Sequence, residues 1–134
     1  MAKIIDIEGV GAVYAQKLSA AGIRTTNKLL NKGATPRGRQ DLADMTGISG
    51  DLILEWVNHA DLYRIKGVAE EYSDLLEEAG VDTVPELAQR NPENLYAKLV
   101  EVNSSKRLVR QLPSQRQVAD WIDQAKSLPR MIQY

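Results

Sequence analysis

The sequence predicts an all-α protein made of two tandem units of about four helices each, packed together. Three observations carry that expectation. First, the chain repeats itself: Ile7-Glu8-Gly9-Val10-Gly11 returns 58 positions on as Ile65-Lys66-Gly67-Val68-Ala69. In that register Tyr14/Tyr72, Leu18/Leu76, Ala21/Ala79, Gly22/Gly80, Thr25/Thr83 and Leu29/Leu87 coincide. A net insertion of seven residues restores the match further along, where Trp56-Val57 meets Trp121-Ile122 and Ala60 meets Ala125. Second, apolar residues recur at spacings of three and four while strict alternation is nearly absent, which is the periodicity of helices. Third, a unit of roughly 60 residues buries too little surface to be comfortably stable alone, so the two copies are expected to pack together.

The elements follow in order. In the first copy Tyr14, Leu18 and Ala21 form one apolar face of a helix near 11–21, and Gly22 ends it, because a left-handed cap is cheap for Gly. Further helices are expected near 26–32, near 36–46 with Thr35-Pro36 as its start, and near 50–63. The second copy repeats the plan. Tyr72, Leu75, Leu76 and Ala79 line a helix near 69–79 that stops at Gly80. Thr83-Val84-Pro85-Glu86 reads as a capping box for a helix near 84–90, and Asn91-Pro92 opens one near 92–103. Ser114-Gln115-Arg116-Gln117 is a second capping box, for a helix near 114–127. The extra residues of this copy are expected around 103–112, as a longer loop or a short helix. The division is therefore 1–64 and 65–134. Trp56 and Trp121, at matched places in a chain without Phe, are expected to be core residues.

Composition narrows the function. The absence of Cys excludes disulfides, thiolate nucleophiles and Cys-bearing metal sites, and a single His59 excludes most zinc sites. No run of about 18 apolar residues occurs, so no membrane role and a cytoplasmic protein are expected. Net charge is -1, but it is unevenly spread. Residues 1–40 hold seven bases and two acids, residues 41–101 four bases and fourteen acids, and residues 102–134 six bases and two acids. The chain runs basic, acidic, basic.

The segment Ile7-Glu8-Gly9-Val10-Gly11, followed by Ala15, Leu18, Gly22-Ile23 and Thr25 to Leu30, resembles a helix-hairpin-helix motif. Thr46-Gly47-Ile48-Ser49 and Gln111-Leu112-Pro113-Ser114 resemble looser hairpins, so each copy resembles a double helix-hairpin-helix unit. As a whole the chain resembles a family of tandem-repeat proteins known mainly as a domain of unknown function. Physical chemistry gives the first hairpin a phosphate-binding reading. Gly9 and Gly11 let an anion approach the main chain, Val10 anchors the turn, and the N–H groups from Gly11 and Ala12 onward open a helix at its positive end. The resemblance implies sequence-independent contact with the DNA backbone, with Lys17, Arg24, Lys28, Arg37 and Arg39 as the candidate cations. Two features depart from the family pattern: Ala12 and Val13 carry no charge where DNA-binding members often place a base, and Glu8 brings a like charge into the turn. In the second copy Ala69 replaces a glycine and Glu70 and Glu71 follow it, so that hairpin is expected to be structural.

The acidic run Glu70, Glu71, Asp74, Glu77 and Glu78 lacks the His or Cys of a metal site and reads as a solvated face or a surface for a basic partner. His59 reads as a satisfied surface or boundary residue. No nucleotide-binding glycine loop and no Ser, His and Asp spacing suggests catalysis, so no enzyme, cofactor or metal is expected. Two functions remain open: weak binding of double-stranded DNA through the first hairpin, or a protein-interaction adaptor or self-assembling scaffold with no nucleic acid.

Overall fold

The computed structural model describes residues 3–7 and 9–134, without the side chains of Ala69 and Glu70. The expectations placed on Glu8, and on the side chains of Ala69 and Glu70, lie outside the described residues. Among the described residues the fold is all-α. A 3₁₀ turn at Ile4–Asp6 precedes α1 (Gly11–Ala20), α2 (Thr26–Gly33), α3 (Pro36–Thr46) and α4 (Gly50–Leu62). Then follow α5 (Ala69–Glu78), α6 (Val84–Ala88), α7 (Pro92–Lys106) and α8 (Gln115–Ser127). No helix among the described residues is long and apolar enough to cross a membrane.

Local chemistry sets most boundaries. Thr35 and Asn91 accept the N–H groups of Gly38 and Asn94 at 3.0 Å each, each just before a Pro in the first helical turn. Ser114 accepts from Gln117 N while the Gln117 side chain accepts from Ser114 N, the reciprocal capping box expected there. Thr83 is different. Its side chain makes no cap bond, because its hydroxyl donates to Glu86 Oε1 while Asp82 N donates to Glu86 Oε2. The stops of α1 and α5 are copies of each other. Ile23 N donates to Leu18 O at 2.8 Å and Val81 N to Leu76 O at 2.9 Å, across Gly22 and Gly80 with φ of 88° and 93°.

The extra residues of the second copy are divided between helix and loop. α7 has 15 residues against 11 in α3. The chain then turns at Arg107, whose φ is 51°, and runs without helix to Ser114, held by Asn103, whose side chain both accepts from Val109 N and donates to Val109 O.

The chain divides into two compact units. One comprises the residues up to Asp61 together with Met131–Tyr134, the other Leu62–Arg130. In the first unit Leu18, Leu29, Leu42, Ile53, Trp56 and Val57 are no more than 1 % exposed. α2 and α3 meet at a corner with no space for side chains. A Cβ on Gly38 would lie 1.9 Å from Lys32 O, and one on Gly33 would lie 2.5 Å from Val57 Cγ2. In the second unit α8 packs on α6 and α7 around Leu75, Leu76, Leu95, Leu99, Val118 and Trp121. Each unit holds the same aromatic pair: Tyr14 with Trp56 and Tyr72 with Trp121, ring centroids 5.3 Å apart in both, tilted by 55° and 48°.

The last residues depart from the division at 64 and 65. Met131–Tyr134 belong to the first unit, where Ile132 is buried and Gln133 N donates to Ala34 O at 2.7 Å. The Tyr134 hydroxyl bonds Asn58 Oδ1 at 3.0 Å. His59 is also deeper than the boundary place expected of it, at 3 % exposure.

Candidate nucleic-acid interface

The first glycine turn is built by one backbone bond and two left-handed residues. Val10 N donates to Ile7 O at 3.2 Å, while Gly9 and Gly11 take φ of 88° and 69°, where a side chain is strained. Val10 and Ile7 point into the core, at 2 % and 1 % exposure. Of the other described residues there, Gly9, Gly11, Ala12 and Val13 are all exposed, and among the described residues no heavy atom beyond the chain neighbours lies within 4 Å of where a Cβ on Gly9 or Gly11 would sit. α1 starts at Gly11, so its leading N–H groups lack intrahelical acceptors and carry the positive end of the helix dipole.

The candidate cations do not converge on this turn. The Lys17 ammonium stands 5.8 Å from the centre of the Tyr14 ring, reaching back toward the helix start. Arg24 lies past the other end of α1, its Nε donating to Ser19 Oγ at 3.2 Å. Lys28 and Arg37 are exposed, on α2 and in the first turn of α3. Arg39 is not available to a phosphate. It is 8 % exposed, its Nη1 donates to Gly33 O and its Nη2 to Gln133 O, both at 2.8 Å, and its guanidinium lies over the Tyr134 ring. Its charge holds the segment 131–134 to the first unit. No local rule separates Arg37 from Arg39, two residues apart on one helix, yet only the second faces inward.

The matching turn of the second unit has the same backbone and different surroundings. Val68 N donates to Ile65 O at 3.3 Å and Gly67 has φ of 96°. A Cβ on Gly67 would meet Trp121 Nε1 at 3.1 Å. Next to it the Gln124 side chain accepts from Lys66 N at 2.8 Å and donates to Lys66 O at 3.1 Å, while also donating to Asp120. That turn is fastened to α8. Sequence reasoning missed Gln124, whose repeat partner is His59 and which belongs to no motif. On α5, Glu78 pairs with Lys106 at 2.6 Å and Glu71 is exposed. Burial first, and then the Glu71 charge, push the Tyr72 phenol above its usual pKa of 10.0, and its hydroxyl donates to Gln111 O.

Residues 8–128 match the family described as "Domain of unknown function (DUF4332)". The chain belongs to this family. No curated protein matches it, and no solved structure matches it. Membership therefore accounts for nearly the whole chain and assigns no chemistry to any residue in it.

Proposed function

We propose that this DUF4332 protein is a non-enzymatic, cytoplasmic binding module whose first unit grips the phosphate backbone of double-stranded DNA weakly and without reading sequence, through a helix-hairpin-helix turn. The observation that carries the reading is the open first turn. Gly9 and Gly11 are exposed with no neighbour where a Cβ would stand, whereas in the second turn, itself exposed, Gly67 lies against Trp121 and Lys66 is bonded by Gln124. A phosphate oxygen at Gly11 and Ala12 would meet backbone donors at a positive helix end, with Lys17 as a candidate charge on the same helix. Lys28, Arg37 and Arg24 would add outlying contacts, while Arg39 is withdrawn from the set.

Few contacts mean weak, salt-sensitive binding. About three phosphates give a log-log salt slope near -2.7 and a dissociation constant no tighter than about 10⁻⁶ M at physiological salt. The test is a mobility-shift titration on random-sequence duplex DNA across salt, for wild type, Gly11→Val and the pair Lys17→Glu with Arg37→Glu. Both variants should lose binding at least about tenfold, which is about 1.4 kcal/mol of binding free energy, with helical circular dichroism unchanged. Folded variants that bind as well as wild type, or a slope near zero, would remove DNA from the account.

A further inference from the structure

The first unit carries an open groove of about 420 Å³, of which the DNA reading uses only Arg24, as an outlying contact. Its apolar wall includes Ile4, Ile5, Ala15 and Ile23, and Lys3 and Arg24 bring two positive charges to it. The two cations are held together by the main chain, since Lys3 and Thr25 form an isolated antiparallel bridge and Ile4 N donates to Arg24 O at 3.2 Å. The bond to Ser19 uses only Nε of Arg24 and leaves the two-pronged Nη end for a carboxylate. Ile5 is 52 % exposed beside these charges, an apolar side chain left without cover. The second unit differs in the residues at these places. At the repeat-matched positions Arg24 becomes Asp82, Ser19 becomes Glu77 and Ala15 becomes Ser73, which is 1 % exposed.

A complementary surface exists on the same chain. Along α7 the exposed residues Glu93, Ala97, Val100 and Glu101 follow helical spacing, and Val100 is 37 % exposed. This is an apolar strip with a carboxylate toward each end, about 12 Å apart at 1.5 Å of rise per residue. Lys98 competes for Glu101, but only as an exposed pair at 3.9 Å, which is worth little.

We infer that the groove docks the α7 face of a second copy of this chain, with Ile5 meeting Val100 and Ala97, and with Lys3 and Arg24 meeting Glu93 and Glu101. Groove and helix face are different patches, so the contact is heterologous and head-to-tail, and each molecule that joins presents a fresh groove or a fresh α7. One helix against one groove is a small interface, so association is weak and grows with concentration.

Sedimentation velocity on the full chain tests this from micromolar to millimolar protein, at about 0.01 M and about 1 M salt, where the Debye length falls from about 30 Å to about 3 Å. At low salt and high concentration the weight-average mass should at least roughly double, and high salt should reverse much of that gain. Lys3→Glu with Arg24→Glu, and separately Glu93→Lys with Glu101→Lys, should each be monomeric, and mixing the two should restore association. Ile5→Ser reads the same contact without changing charge; it should weaken association and leave DNA binding intact, which separates this surface from the glycine turn. Should a reversal variant unfold by circular dichroism, Ile5→Ser and Val100→Ser decide alone. A chain that stays monomeric at low salt, or an oligomer indifferent to these substitutions, overturns the assignment.

Discussion

The two glycine turns of this protein share a backbone and differ in what covers it. Both are closed by a bond from the residue after the first glycine to the apolar residue three before it, at 3.2 Å in one and 3.3 Å in the other. Both are followed by a helix that packs a tyrosine on a buried tryptophan. Yet Gly67 sits against Trp121, and Lys66 is held through both its N–H and its carbonyl by Gln124, while among the described residues nothing beyond the chain neighbours comes within 4 Å of where a Cβ on Gly9 or Gly11 would stand. The comparison teaches that a duplicated turn can be kept as scaffold in one copy and left accessible in the other with no change in its own conformation.

The largest expected effect tests the part the two copies share. Trp56→Ala and Trp121→Ala should each destabilise by about 3 to 5 kcal/mol in urea unfolding, the cost of emptying a large core site. Near-wild-type stability in either variant would break the equivalence of the two cores.

The next effect belongs to the first unit alone. Arg39→Ala removes a buried guanidinium from the carbonyls of Gly33 and Gln133. It should cost about 1.5 to 3 kcal/mol, the range for hydrogen bonds to a charged group, whereas exposed Arg37→Ala should stay within about 0.5 kcal/mol. Equal effects would return Arg39 to the surface and to the candidate phosphate set.

The smallest effect separates the turns directly. Gly9→Ala and Gly67→Ala both force a side chain into a left-handed conformation at about 1 to 2 kcal/mol. Gly67→Ala should cost more than Gly9→Ala, because its Cβ must also push back Trp121 by a few tenths of an ångström. The difference should be read by urea unfolding beside Trp fluorescence, which should shift in Gly67→Ala only. Matching losses with no fluorescence change would mean that the second turn is as open as the first.

Much of the fold was legible in the residues. The helix ends at Gly22 and Gly80 and the caps at Thr35, Asn91 and Ser114 followed from local rules, and the buried tryptophans from their matched places in the repeat. Thr83 did not, because Glu86 is within reach of two donors at once and takes its hydroxyl. The candidate site was legible only in part. The positive φ of Gly9 and Gly11 is a property of glycine in that turn, but the openness around them is a property of everything else that fails to cover them.

By itself, then, the sequence determined its own repeat, which is read by matching residues directly, and the all-α class and most places where helices begin and end, which rest on residues within a few positions of one another. Tertiary structure decided which of two neighbouring arginines became a clamp, which turn was fastened to α8, and to which unit residues 131–134 belong. Those outcomes rest on contacts such as Arg39 with Gln133, 94 positions apart, and Lys66 with Gln124, 58 apart. The physical reason is that caps and turns satisfy backbone groups locally, whereas burial of a charge or cover over a glycine depends on which distant surface the folded chain brings against it.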